Sequence, residues 1–367
     1  MVLLDIVRAG LVASLILGGA SYPKPKERFF GNKRFHQIQR FSMQKNILVT
    51  GANGFLGQHV VRELEKNYPG VEKIHTFRSS EYDLRNVEAI RDLLNDKPAD
   101  TIVHLAAKVG GIGANQKSPG TFFYENLMMG VQLVEEARKI GIKKFVNVGT
   151  ICSYPKFTPV PFKESDIWNG YPEETNAPYG LAKKMMMVQL QAYKQEFGFS
   201  GINLMMVNLY GPGDNFDLQS SHVIPAMLRK FHNAKEQGMP TVTLWGDGSA
   251  SREFLFVEDA ALAIRMATEK YDSPEPMNIG TGREITMKSL AETVKKIVGY
   301  GGEIVWDISK PNGQPRRCLD VTKAKNELGF TANVMLSYGL EVTYGWFLAN
   351  QRSIESPELV TATNLNR

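Results

Sequence analysis

From residue 45 onward the chain alternates two patterns. Short runs with few polar breaks occupy residues 46–50, 72–77, 101–106, 144–149 and 201–209. Between them, apolar positions recur every three to four residues: from the glycines at 51–57 to about 67, then 87–95, 121–140 and 179–197. A short run that is apolar on both faces reads as a fully buried strand, and the 3.6-residue period reads as an amphipathic helix. Their alternation predicts an α/β fold, a doubly wound parallel sheet covered by helices on both faces. After Gly211 the pattern weakens. Helices are expected at 257–270 and 288–298, set among segments rich in Pro, Gly, Trp and Arg. Residues 44–210 thus form the expected main domain. Residues 211–350 are expected to be mainly a smaller α/β lobe, with two returns to the main sheet. Residues 351–367 read as a loosely held tail.

Charge changes the view of the N-terminus. Residues 1–45 hold eight Lys/Arg against only Asp5 and Glu27, while the whole 367-residue chain carries +5. The rest is near neutral, so a basic nucleic-acid surface on the folded body is not expected. The apolar run 9–20 is below the ~18 residues a membrane span needs. It reads as a signal or transit segment, or as an extension that does not fold, since Met43 immediately precedes the first strand. Cys152 and Cys318 are too few for a disulfide framework, and no Cys/His spacing suggests zinc. A reducing, cytoplasmic setting is the default expectation.

Candidate chemistry begins at residues 51–57, where Gly51, Gly54 and Gly57 enclose Ala52, Asn53, Phe55 and Leu56 between a strand and a helix. Glycine permits the turn and the close approach of a pyrophosphate, and the helix N-terminus offers free N–H groups. In this strand–helix setting the triplet predicts a Rossmann-type dinucleotide site. An acid at the end of the second strand would bind the ribose 2′-hydroxyl of NAD. Here Phe77 is followed by Arg78, Ser79 and Ser80, which favours NADP. Arg78 as a merely solvated loop charge is the competing reading.

Tyr179 and Lys183 lie four apart on one helical face. A nearby ammonium is expected to lower the phenol pKa, so that the tyrosine can protonate a ketone oxygen as hydride arrives. The preceding strand ends at Gly149-Thr150, placing a hydroxyl at the carboxyl edge of the sheet, where ligands bind. Loop, hydroxyl, Tyr and Lys in this order resemble the extended short-chain dehydrogenases/reductases.

A closer resemblance runs over about residues 45–348. It rests on residues 106–112 (AAKVGGI), 149–156 (GTICSYPK), 208–216 (NLYGPGDNF), 221–225 (SHVIP) and 252–254 (REF). Together they resemble the GDP-L-fucose synthase family, the 3,5-epimerase-4-reductases of GDP-4-keto-6-deoxy-D-mannose. The resemblance implies Cys152 as base and His222 as acid for epimerisation beside Thr150, Tyr179 and Lys183. It implies cofactor contacts from Leu105, Ala106, Ala107, Val148, Gly149, Lys183, Asn208, Leu209 and His222. Lys230 and Arg252 would hold the diphosphate or sugar, Val223 and Trp245 would flank the guanosine end, and Asn208 would orient the substrate. Asp320 would bind a ribose or base edge. A homodimer is also implied. Core packing is the competing reading for Trp245, and a purely structural one for Cys318, His59, His75, His104 and His232. Two functions stay open beside the leading one: a 4-reductase or epimerase of another deoxyketosugar nucleotide, and a non-catalytic NADP-binding sensor.

Overall fold

The computed structural model describes residues 45–310 and 312–355. The N-terminal extension and residues 356–367 of the expected tail lie outside them. In chain order the elements are β1 (Asn46–Thr50), α1 (Phe55–Asn67), β2 (Lys73–His75), α2 (Val87–Asp96), β3 (Thr101–His104), α3 (Ile112–Lys117), α4 (Pro119–Lys139), β4 (Lys144–Thr150), α5 (Ala177–Phe197) and β5 (Gly201–Met206). There follow β6 (Asn208–Tyr210), α6 (Val223–Glu236), β7 (Thr241–Trp245), β8 (Ser251–Phe256), α7 (Val257–Lys270), β9 (Pro276–Ile279), β10 (Glu284–Thr286), α8 (Met287–Val298), β11 (Glu303–Asp307) and α9 (Leu336–Glu355).

Local signals explain several boundaries. The Asn86 side chain accepts from the N–H groups of Glu88 and Ala89 and starts α2. Pro178 sits in the first turn of α5, and Gly198 ends that helix in the left-handed conformation.

Six strands form one parallel sheet in the order β2-β1-β3-β4-β5-β9. Its continuous apolar runs feed two faces. Ile47, Val49, Val103, Val146 and Val148 enter one core, and Leu48, Ile102 and Phe145 enter the other. This is the period-two alternation of a sheet buried on both sides. The strand order reverses about β1, with β2 on one side and β3 on the other. In open α/β sheets the crevice beyond the strand ends at such a point receives ligands.

The expected strand 201–209 is in fact two. β5 stays in the main sheet, whereas β6 pairs in parallel with β8 in a second sheet, β10-β8-β6. A run apolar on both faces gives no sign of where the chain changes sheets. Asn208 marks it: its amide donates to the Glu253 carbonyl at 3.0 Å. A third sheet pairs β11 with β7. These sheets and α6, α8 and α9 enclose a second core around Phe216, Phe231, Tyr300 and Phe347. α7 packs on α1 and β9 closes the edge of the main sheet, so both belong spatially with the first half of the chain. The expected loose tail is a helix as far as Glu355, with Ile354 against the second core.

Glu253 ties these parts together. Its buried carboxylate accepts from the backbone N–H groups of Thr281, Gly282 and Leu319, the last two each at 2.7 Å. Removing it would leave the buried Leu319 N–H and the part-buried N–H groups of Thr281 and Gly282 unpaired. Glu253→Leu is expected to cost about 3–5 kcal/mol, since each unpaired buried donor costs roughly 1–3 kcal/mol. The midpoint of urea unfolding measures this.

Candidate active site

A cavity of about 730 Å³ lies beyond the carboxyl ends of β1, β3, β4 and β5 and reaches into the second half of the chain. Its floor is the glycine loop. Gly51 has φ +68°, and a Cβ there would meet the backbone of Ala106 at 2.8 Å. A Cβ on Gly57 would fall 2.1 Å from the Gly51 carbonyl. Glycines are therefore required for α1 to start this close to β1. Gly54 caps α1 without a side-chain acceptor, and no acid stands in the first turn, so the helix N-terminus presents free donors to the cavity.

Thr50 fixes the adjacent wall. Its hydroxyl accepts from the N–H groups of Leu105 and Ala106, each at 3.1 Å, and meets His104 Nδ1 at 2.9 Å. This turn of the backbone ends β3 at His104 rather than at 106. Two amides fill the hydroxyl oxygen, so its own proton goes to Nδ1 and the buried ring is neutral. Desolvation and the nearby Lys183 both hold the His104 pKa well below the ordinary value. The structural reading of this histidine stands, as do those of His59, bonded to the Pro212 carbonyl at 2.9 Å, and His232, bonded to the Tyr344 hydroxyl at 3.1 Å.

Thr150, Cys152, Tyr179 and Lys183 meet on the β4 side of the cavity. Thr150 ends β4 and accepts from the Cys152 N–H at 3.2 Å, opening the 3-10 turn Ile151–Ser153. Gly180 lets α5 close onto this turn, because a Cβ there would sit 2.2 Å from the Cys152 carbonyl. The nearby Thr150 hydroxyl favours ionisation of the Tyr179 phenol. Burial outweighs this, with the Cys152 charge adding to it, and pushes Tyr179 above the usual phenol range. The sequence-based expectation that Lys183 lowers it is thus reversed in the protein alone. Burial also pulls the Lys183 ammonium down, to about 8. Both shifts share their largest cause, which is desolvation of the group that would carry charge.

His222, Val223 and Lys230 come from α6 and its N-terminus and also line the cavity. Burial lowers the His222 pKa, which disfavours the imidazolium an acid role needs. Trp245 is half exposed at the cavity rim, with the Lys310 ammonium 5.8 Å from its ring centre; it does not pack in the core. Arg252 is half-buried and donates to the carbonyls of Ser251 (2.7 Å) and Asn312 (3.1 Å). Desolvation, then the neighbouring Arg317, brings its pKa down to about 10. Asn208, Leu209, Val148, Gly149, Ala107, Phe55 and Leu56 also line the cavity.

Four of the expected site residues do not line it. Within the loop Ala52 is buried and Asn53 exposed, and the Asn53 amide donates to the Phe77 carbonyl at 3.3 Å, tying the loop to the chain just after β2. Arg78 is exposed beside the cavity-lining Ser79. Asp320 lies in a bridged segment. Residues 318–320 bridge to Phe162, which donates to the Cys318 carbonyl and accepts from the Asp320 N–H, each at 2.8 Å. The Asp320 carboxylate accepts from the Thr322 N–H at 2.9 Å.

Sequence reasoning missed Glu173, Gln314 and Arg317, which all line the cavity near Cys152. Arg317 Nη1 lies 3.5 Å from the Cys152 sulfur. Among the described residues, no group of three or more His, Cys, Asp or Glu could hold a metal ion. No helix among them is long and apolar enough to cross a membrane.

Residues 47–280 match the NAD dependent epimerase/dehydratase family. The chain belongs to that family. Among relatives, it is 40% identical to GDP-L-fucose synthase 1 of Arabidopsis thaliana over 304 residues, 83% of this chain and 93% of that protein. It is 39% identical to the GDP-L-fucose synthase of Escherichia coli K12 over 317 residues, 84% of this chain and 98% of that protein. Among solved structures it resembles a GDP-L-fucose synthetase from Naegleria fowleri bound to NADP, with TM-score 0.76 and 25% identity, covering 84% of this chain and 95% of that one. The NAD dependent epimerase/dehydratase match takes in the glycine loop, Thr150, Cys152, Tyr179, Lys183, His222 and Arg252. It stops before Gln314 and Arg317.

Proposed function

We propose that this enzyme converts GDP-4-keto-6-deoxy-D-mannose to GDP-L-fucose by 3,5-epimerisation and then NADPH-dependent reduction of the C4 ketone. The observation that carries the reading is the meeting of Thr150, Tyr179 and Lys183 with Cys152 and His222 on one cavity, in a chain about 40% identical to proteins of that name.

The residues fit NADP. The glycine loop and the uncapped start of α1 suit the pyrophosphate, and the wall of Leu105, Ala106, Val148 and Gly149 suits the flat rings. Bound there, the reduced cofactor supplies hydride to C4. The chain's own groups do the rest. Thr150 and Tyr179 form a donor pair for the ketone oxygen O4. A C4 ketone acidifies the hydrogens on C3 and C5, because either carbanion delocalises onto O4. Donors aimed at that oxygen stabilise the developing charge. Cys152 takes the proton from one face and His222 returns one to the other. Tyr179 later gives its proton to O4, and buried Lys183 holds the tyrosine and the cofactor side in place. Lys230 and Arg252 meet the diphosphate or sugar, with Trp245 and Val223 at the guanosine end. Residues 211–350 act mainly as the substrate lobe. The enzyme works as a cytoplasmic homodimer; exposed Phe123 and Tyr124 on α4 and Val188 and Phe197 on α5 support the pairing.

The deciding experiment incubates purified protein with GDP-4-keto-6-deoxymannose and NADPH in D₂O. GDP-L-fucose carrying deuterium at C3 and C5 is expected. Product lacking that label, or tight NADPH binding without turnover, would overturn the reading. Arg78, just after β2, is the cation placed for the 2′-phosphate, since Asn53 in the loop carries no charge. Arg78→Ala should raise the KM for NADPH by about 10–100-fold, the worth of a charge-assisted contact, and leave the KM for NADH nearly unchanged.

A further inference from the structure

The proposed chemistry leaves one buried cation in the cavity without a task. Arg317 is 6% exposed. Its Nε donates to Gln314 Oε1 at 2.8 Å. The Gln314 amide in turn donates to the Lys156 carbonyl at 2.8 Å, which fixes its oxygen toward the guanidinium. Glu173 stands on the Nη2 side at 4.0 Å, beyond direct hydrogen bonding. That carboxylate is engaged elsewhere, by the Thr175 hydroxyl at 2.6 Å and the Asn176 amide at 2.7 Å. The remaining edge faces Cys152, with Nη1 3.5 Å from Sγ.

A buried guanidinium with a neutral amide and one offset carboxylate is under-compensated, because charge removed from water needs a close counter-charge. A thiolate at the open edge supplies it. A thiol, moreover, acts as a base only through its thiolate, which a neighbouring cation favours. We propose that Arg317 is the positioning residue that holds Cys152 in its thiolate form and aims the sulfur at the sugar. This rests on the base role given to Cys152 above.

The other charged and titratable groups acting on the sulfur are Arg252 and Tyr179. Arg252 contributes field, with one N–H of each terminal nitrogen going to a backbone carbonyl. Tyr179 stays protonated and so places no negative charge against the sulfur; a Cys152 thiolate raises the phenol further. In the step itself a sulfur lone pair takes the C3 proton, and the C–H electron pair passes to O4. The sulfur becomes a neutral thiol as the enolate forms between Thr150 and Tyr179. His222 then protonates the opposite face of the carbon. The thiol loses its proton to water and His222 regains one before the next turnover.

The test follows iodoacetamide alkylation of Cys152 against pH in the full-length protein, by peptide mass mapping. Cys318 is a built-in control, since burial pushes its thiol to about 12. Arg317→Met should move the Cys152 midpoint up by about one pH unit, a tenfold loss of thiolate below it. Solvent deuterium entry at C3 should fall by about the same tenfold factor, and Arg317→Lys should recover most of both. An unmoved midpoint in folded Arg317→Met overturns the proposal. So does a raised KM for the nucleotide sugar with an unmoved midpoint, which would make Arg317 a substrate-anion contact. Where Arg317→Met does not fold, Arg317→Lys and Arg317→Gln decide on the same midpoint, with Lys expected near wild type and Gln shifted up. The base role is tested separately: if Cys152→Ser keeps C3 exchange, that role falls, while the alkylation midpoint still reports on the arginine–sulfur pair.

Discussion

A Tyr179→Phe variant is expected to reduce the ketone about 10²–10⁴-fold more slowly, the range that a positioned proton donor contributes. The phenol stands at the start of α5, held against the Ile151–Ser153 turn by the close approach at Gly180. Burial keeps it protonated at neutral pH. It is therefore poised as an acid, ready to give its proton once charge develops on O4. Phenylalanine keeps the packing and removes the proton together with one of two O4 donors. Deuterium entry at C3 and C5 should fall too, though less, because Thr150 remains to stabilise the enolate. Single-turnover loss of NADPH absorbance measures the first effect, and mass spectrometry of recovered ketosugar measures the second. A reduction rate within about tenfold of wild type would remove Tyr179 as the proton donor.

The first half of the fold was legible because its strands are buried on both faces, so each is a short apolar run bounded by helical periodicity. Their ends were less so. β2 is an edge strand of three residues, and β3 stops where Thr50 captures the next two backbone amides; neither event has a local apolar signature. The second half resisted for a different reason. Its strands run three to six residues and change sheets, as β6 does after Val207, and a run apolar throughout does not mark such a change.

The candidate site shows the same division. Glycine spacing and the Tyr179–Lys183 interval are local and could be read directly. Arg316 and Arg317 could not be told apart. Only the bridges of this segment to Ser251 and Phe162 separate them: Arg316 turns outward to Glu284, and Arg317 inward to Cys152. The same bridging sets the backbone position of Asp320, whose carboxylate accepts from Thr322. An alternation argument over residues 316–320 was the available signal, but it needed the knowledge that this stretch pairs as a strand.

Cys152→Ser is the second large effect and separates the two chemistries that share O4. Serine preserves size and the hydrogen bond from its N–H to Thr150, but its hydroxyl stays protonated at neutral pH. Deuterium entry at C3 should therefore drop by about 10²–10⁴-fold, as for loss of a general base. Reduction of ketosugar supplied already epimerised should fall far less, because Thr150, Tyr179 and Lys183 are untouched. Set beside Tyr179→Phe, the expected pattern is asymmetric: the tyrosine variant slows both steps and the serine variant slows one. That asymmetry follows from placing one donor pair at O4 with a base on only one face of the ring. Equal losses in both steps for Cys152→Ser would instead mean that the sulfur shapes the site as a whole. Undiminished C3 labelling would assign the base elsewhere, and His222 would then be the next group on the cavity wall to test.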